Sequence, residues 1–295
     1  MRAELLKIRS TTSGRCLVAV LALGGAVVLA VAAAAPALIQ ALVDLQRRYP
    51  DLRLTDAGDG RFDDVLALLS VADPEYQRSM VDLVNPGPFA GFGSLGLSTT
   101  CALLTGVLVA TGDFRHGGIV LAALATPDRS AVIARKACAV VTLLGGVGLL
   151  LVLASGGSLA VAIALTPDAT LELSPAVVAA VWSRSVLVLI LLGLVGLGLG
   201  LLIRHQTPSV AAVLVASIVE PTIVLVATLV AGSTPWFAAF LPLSASQLSP
   251  RGSTLASSTE LGATAHPLVA LAALSLWAAL HMAAGLWRTS RTDLV

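Results

Sequence analysis

Residues 185–203 carry no charged side chain, and neither do 16–43, 90–111, 137–165 and 268–287; 209–231 holds a single charge, Glu220. A helix needs about 20 predominantly apolar residues to cross a bilayer, so each of the six stretches is long enough. A soluble domain carries about 25% charged residues. This chain carries 12%, with 57% hydrophobic residues and a mean hydropathy of +0.92. The sequence therefore predicts an all-α polytopic membrane protein, a single transmembrane domain over 1–295 with spans near 16–43, 90–111, 137–165, 176–203, 209–231 and 268–287. Its first partner is the lipid bilayer.

The charges between the spans orient them. Short loops rich in Lys and Arg stay on the cytoplasmic side. Residues 1–15 hold Arg2, Lys7, Arg9 and Arg15 against Glu4, a net +3, which predicts a cytoplasmic N-terminus. The first apolar run follows a basic segment, as in a signal peptide, but it is about twice the usual length, so an uncleaved first helix is the favoured reading. The polar stretch 44–89 has nine acids against five bases, a net −4, and is expected outside. Within it, 62–71 and 75–84 read as short amphipathic helices, separated at Asp73-Pro74. Asp56, Asp59, Asp63 and Asp64 invite a calcium loop, but the spacing and the closing Glu are absent, so a solvated surface is expected. Residues 166–175 carry Asp168 and Glu172 without a base and fit the outside. Arg204-His205 and Arg288 with Arg291 fit the inside, so both termini are expected in the cytoplasm.

Individual residues refine the spans. Trp182 and Arg184 mark the outer boundary of the fourth, an interfacial aromatic with a snorkelling base. Gly196 and Gly200, with Gly193 and Gly198, allow a neighbouring helix to approach closely. Thr207-Pro208 opens the fifth span, which Glu220-Pro221 is expected to interrupt. Residues 236–248 are apolar but too short to cross, and are expected to dip into the outer leaflet as a re-entrant helix. Cys16, Cys101 and Cys138 all lie in or beside apolar runs and read as small packing residues.

Segment 112–136, GDFRHGGIVLAALATPDRSAVIARK, concentrates charge between two spans: Asp113, Arg115, His116, Asp128, Arg129, Arg135 and Lys136. Its apolar centre, 117–126, is too short to span and suits a short helix against the membrane surface or another protein. The order G-D-F-R-H-G, then T-P-D-R, then A-R-K resembles the first cytoplasmic loop of ABC-2 type permeases, the membrane subunits of ABC exporters. Asp113 stands where that family commonly has Glu, and Gly118 where it commonly has Thr. The six-span layout, with an extra outer helix before the last span, is similar too. The resemblance implies a coupling loop in which Asp113, Arg115, His116, Thr126, Pro127, Arg129 and Lys136 engage a separate ABC ATPase subunit. It also implies a second permease copy or close relative as dimer partner. ATP and Mg would then sit on the partner ATPase, with no cofactor on this chain, and the location would be the cytoplasmic membrane of a bacterium.

Motif chemistry is consistent with a transport subunit that has no ATPase site of its own. The only lysines are Lys7 and Lys136, and neither sits in G-x-x-x-x-G-K-[ST]. There is no G-x-S-x-G or H-E-x-x-H, and the four histidines are scattered, so no catalytic or metal-binding residue and no nucleic-acid partner is assigned. Two ionisable residues fall inside spans, Glu220 and Arg184. Glu220 lies roughly 16 Å from the inner boundary at 1.5 Å per residue, where a charge costs roughly 2.5–3.5 kcal/mol. It is expected to face an interface or aqueous cavity, or to be protonated and serve the backbone carbonyl of Ser217 that Pro221 leaves without a donor. A non-transporting assembly or sensory subunit remains an alternative, as does a secondary transporter, which the absence of an internal repeat disfavours. The cavity-lining residues hold no code for a substrate.

Overall fold

Glycines on several sides of one helix decide which helix sits in the middle. The computed structural model describes residues 12–49, 70–86, 96–115, 129–166, 169–233, 235–252 and 266–291, and the described residues are helical with no strand among them. Eight α-helices carry the fold: α1 (Thr12–Arg48), α2 (Pro74–Val81), α3 (Leu97–Arg115), α4 (Arg129–Leu165), α5 (Pro175–Ile203), α6 (Gln206–Ala231), α7 (Pro242–Leu248) and α8 (Pro267–Arg291), with a 3₁₀ turn at Trp236–Phe240 before α7. Of these, α5 is the hub. It packs most extensively on α3 and α8, then on α4, and also on α6. A Cβ placed on Gly196 would stand 2.0 Å from the Leu103 carbonyl oxygen of α3, and one on Gly198 would stand 2.5 Å from the His281 carbonyl carbon of α8. A Cβ on Gly193 would meet the Leu144 side chain of α4 at 2.2 Å. Small residues let helix backbones touch where lipid offers no hydrophobic drive for association. The G-x-x-x-G of the sequence thus serves α3, and its neighbouring glycines serve two further helices.

Both ends of α5 are capped locally. The Ser174 side chain accepts from the Val177 amide, with Pro175 in the first turn. At the other end Arg204 adopts the left-handed conformation, φ 68°, and its amide donates to the Gly200 carbonyl at 2.9 Å. Only Arg204 and His205 separate α5 from α6.

Among the described residues, five helices are long and apolar enough to cross a membrane, with apolar spans at Gly14–Leu42, Ser130–Leu165, Pro175–Ile203, Gln206–Ala231 and Pro267–Thr289. The corresponding stretch of α3, Leu97–Gly112, is shorter. The expected start of that span, near 90, lies outside the described residues. Several helices outrun their apolar stretches. α1 extends from Thr12 to Arg48, α3 reaches Arg115, and α4 begins at Arg129, eight residues before the expected 137. Hydropathy marks where a membrane begins, whereas a helix continues until its hydrogen bonding stops, so the two boundaries differ. Pro221 does not interrupt α6, which runs unbroken from Gln206 to Ala231. A proline removes one hydrogen bond, a loss that membrane helices tolerate when neighbours satisfy the freed groups. Of the two helices expected in 44–89, the first lies mostly outside the described residues. The second is α2, whose N-cap Asp73 accepts from the Glu75 amide at 2.9 Å.

Two buried cores result. The larger joins Val107, Val140, Leu144, Leu189, Leu192, Leu197 and Leu274 around α5. The smaller gathers Tyr76, Met80 and Val81 of α2 with Ala33, Leu159, Val178 and Val181, at the ends of α1, α4 and α5 that carry the acidic connections. Tyr76 is fully buried, and its hydroxyl donates to the Ala32 carbonyl at 2.7 Å. Pro36, four residues on, has no N–H to offer that carbonyl, so the α2 tyrosine supplies the missing donor to α1.

Candidate functional site

Polar groups buried among the helices form three stations. The first is at the basic end of α3 and α4. Lys136 is 1% exposed, and its ammonium donates to the Val109 carbonyl of α3 at 2.9 Å. The long lysine stem lies along apolar surface while the head finds a backbone oxygen, as expected for a cation kept out of water. Lys136 therefore ties α4 to α3 within the bundle. Of the other residues expected to couple to an ATPase, Asp113 and Arg115 fall on the last turn of α3 and Arg129 on the first residue of α4. His116, Thr126 and Pro127, together with the short helix expected at 117–126, lie outside the described residues.

The second station is Glu220, 9% exposed near the middle of α6. Its Oε1 accepts from the Ser244 amide of α7 at 2.7 Å. Ser244 is the third residue of α7, and that helix has no side-chain cap of its own: its N-cap position is Leu241, followed by Pro242. The first amides of a helix lack partners within it, and a carboxylate at an N-terminus meets both those donors and the positive end of the helix dipole. Glu220 thus caps α7 from a neighbouring helix. It makes no ion pair with Arg184. Its carboxylate turns to α7 rather than to the Ser217 carbonyl that Pro221 leaves without a helical donor. Sequence reading could place Glu220 at depth but not find this partner, because a cap contributed from 24 residues away leaves no local spacing.

The third station was not singled out in the sequence. Asp82, at the C-cap of α2, is fully buried and accepts from Arg251 Nε through Oδ2 at 2.9 Å, across 169 residues of chain. Its Oδ1 accepts from the Val84 and Asn85 amides at 2.9 and 3.2 Å. Burial drives the Asp82 carboxyl above the usual aspartate range, and the Arg251 charge with these two amides works against that. The same turn rests on α5, where the Leu83 amide donates to Ser185 Oγ at 3.4 Å. Next to Ser185 stands Arg184. Its Nε donates to the Ala180 carbonyl of its own helix at 2.9 Å.

Further polar contacts hold α2 on the bundle. Ser155 Oγ donates to the Met80 carbonyl at 2.9 Å and accepts from Trp182 Nε1 at 3.2 Å. Gln77, fully buried, donates to the carbonyls of Val71 and Thr170 and accepts from the Glu172 amide. α2 is therefore a polar plug, tied by side chains to connections on either side of it.

The stretch from Trp236 to Gly252 links the second and third stations. Glu220 holds the start of α7, and Asp82 holds Arg251 just beyond its end. The 3₁₀ turn is tied separately to α8, where Trp277 Nε1 donates to the Phe240 carbonyl at 2.8 Å. No protein-family model matches the chain, and no curated protein matches it significantly.

Proposed function

We propose that this chain is the permease subunit of an ATP-driven exporter of the ABC-2 type, working in a bacterial cytoplasmic membrane. On this reading it has six spans, α3 supplying the sixth, with both termini and segment 112–136 in the cytoplasm. Segment 236–248 is a re-entrant turn in the outer leaflet. A separate ATPase subunit holds ATP and Mg, and a second permease, identical or related, completes the pore.

The observation that carries the reading is segment 112–136. It pairs an apolar stretch too short to span with flanking charges, in the order G-D-F-R-H-G, T-P-D-R, A-R-K. The helices on either side of it, α3 and α4, are joined close to it by the Lys136 contact with Val109. A push on the segment would therefore move two helices together, and α3 lies directly on the hub helix α5 through Gly106 and Gly196.

The test is reconstitution. The chain, co-purified with the subunit that carries the phosphate-binding loop, is placed in proteoliposomes, and ATP hydrolysis is followed with and without it. An Arg115→Glu plus Arg129→Glu double variant should insert normally and lose the permease-dependent part of that hydrolysis. Full retention of it, in a correctly inserted double variant, refutes a coupling role for these residues. Failure of any ATPase subunit to associate with the wild-type chain refutes the exporter reading.

A further inference from the structure

α8 turns one side to α5 and the opposite side away from the bundle. Ala270, Leu274 and Ala278 are buried, and a Cβ on Gly285 would stand 3.0 Å from the Leu201 Cβ of α5. The other side is open: Leu276 is 61% exposed, Leu280 53% and Trp287 59%, with exposed Ala283 between the last two. Arg291, also exposed, continues the series. Steps of 4, 3, 4 and 4 residues keep all five on one face of the helix.

This face ends in positive charge. Arg291 lies over the Trp287 ring, 4.8 Å from its centroid, so the flat side of the guanidinium rests on the ring and its N–H edge is turned to an anion. Arg288 is exposed on the same turn. A third cation arrives from another part of the chain: Arg204, in the connection between α5 and α6, donates through Nη2 to the Arg288 carbonyl at 3.1 Å. Neither α8 nor that connection holds an Asp or Glu; with Asp293 just beyond α8 counted, the local balance is 3 − 1 = +2.

Length and charge together select the occupant. Leu276 and Trp287 are eleven residues apart, about 16 Å at 1.5 Å per residue, and one leaflet of a hydrocarbon core is about 15 Å deep. An acyl chain of a single leaflet thus fits between the tryptophan and Leu276 with its headgroup at the arginines. Tryptophan favours that depth, because its ring is apolar and its N–H prefers the wet side. The small side chain of Ala283 leaves room for the chain between Leu280 and Trp287.

We propose that this face of α8 is a binding site for an anionic phospholipid, with the headgroup phosphate on Arg291, Arg288 and Arg204 and an acyl chain along Trp287, Ala283, Leu280 and Leu276. Topology asks only for positive charge near the end of a span; it does not ask for a guanidinium stacked on a ring in line with an apolar track. The site requires that α8 cross a membrane, and requires neither the exporter reading nor a particular orientation.

Lipid preference tests it. The purified full chain in mild detergent is titrated with dioleoyl phosphatidylglycerol or dioleoyl phosphatidylcholine, and retained lipid is counted by native mass spectrometry. Phosphatidylglycerol should bind at least fivefold more tightly. Arg291→Gln should weaken its binding about fivefold, the effect of one cation near an anionic headgroup, and the Arg288→Gln plus Arg291→Gln double variant should lose the preference. Arg135→Gln removes an exposed arginine of α4 and should leave the preference unchanged. Wild-type elution profiles without added lipid establish that the variants fold; if the double variant aggregates, the comparison of Arg291→Gln with Arg135→Gln decides. Equal binding of the two lipids, a preference that survives loss of Arg291, or an equal loss in Arg135→Gln overturns the site. Inorganic phosphate at the same concentration should not displace the lipid. If it does, the arginines bind a free anion and the acyl track is refuted.

Discussion

Replacing Glu220 by Leu separates two energies that ordinarily travel together. In the bilayer an acid at this depth costs roughly 2.5–3.5 kcal/mol on insertion scales, so Glu220→Leu should insert at least as well as the wild type. In the folded bundle the same carboxylate accepts the Ser244 amide at 2.7 Å. A hydrogen bond to a charged acceptor contributes about 1.5–3 kcal/mol, and a buried donor left unpaired costs a similar amount. Leu should therefore destabilise the fold by about 2 kcal/mol. Gln retains an oxygen that can accept from the amide but loses the charge that favours the N-terminal end of α7, and should cost about half as much. For chains of this size about 1 kcal/mol moves the melting temperature by roughly 2–4 °C, so the expected falls are roughly 4–8 °C for Leu and half that for Gln. Tryptophan fluorescence during a melt in mild detergent reads the shift, and membrane-fraction yield reads insertion. A melting temperature for Glu220→Leu equal to or above the wild type would show that the acid is not capping α7. A fall in Gln as large as in Leu would show that charge, rather than an acceptor at the helix start, is what matters.

Two further substitutions follow from the backbone. Gly196→Val should abolish folding of the bundle, because even its first carbon would stand 2.0 Å from the Leu103 carbonyl oxygen; a monodisperse, wild-type-like elution profile in detergent would refute the close contact of α3 and α5. Arg204→Gly and Arg204→Ala both lose the guanidinium bond to the Arg288 carbonyl, 3.1 Å, but Gly also relieves a left-handed backbone worth about 1 kcal/mol, which Ala keeps. Gly should therefore melt above Ala by roughly 2–4 °C, and the reverse order would refute the account of this turn.

What the sequence reveals and what it hides divides along one physical line. Spans are legible because each is a property of adjacent residues: an uncharged run such as 185–203 announces itself wherever it folds. The glycines of α5 are legible as an invitation to close packing, but not as to which helix accepts it; Gly193, Gly196 and Gly198 turn out to serve α4, α3 and α8. Lys136 reads as part of a charged loop because it follows Arg135 in sequence, yet the helix begins at Arg129 and about two turns of helix carry Lys136 inward to the Val109 carbonyl. Asp82 is one of nine acids in 44–89, within the stretch 75–84 that reads as a short amphipathic helix. Nothing in its neighbours distinguishes it, since its partner, Arg251, lies 169 residues away.

The two prolines inside helices make the same point about how polar cost is met. Pro36 and Pro221 each deprive one carbonyl of its helical donor, at Ala32 and Ser217. At Ala32 the donor is supplied by Tyr76 of α2 at 2.7 Å, so the proline binds α1 to the plug and becomes a docking feature. At Ser217 the nearest acid on the same face of α6, Glu220, turns to α7 instead, and the Ser217 hydroxyl stays buried without a partner. The turn of α6 around Pro221 therefore serves α7 through its acid, as the turn of α1 around Pro36 serves α2 through its carbonyl. Tyr76 with Ala32, and Gln77 with its three backbone partners, then fasten α2 to α1 and to the connections on either side of it, so the polar cost of one proline is met by the same side chains that dock the short helix.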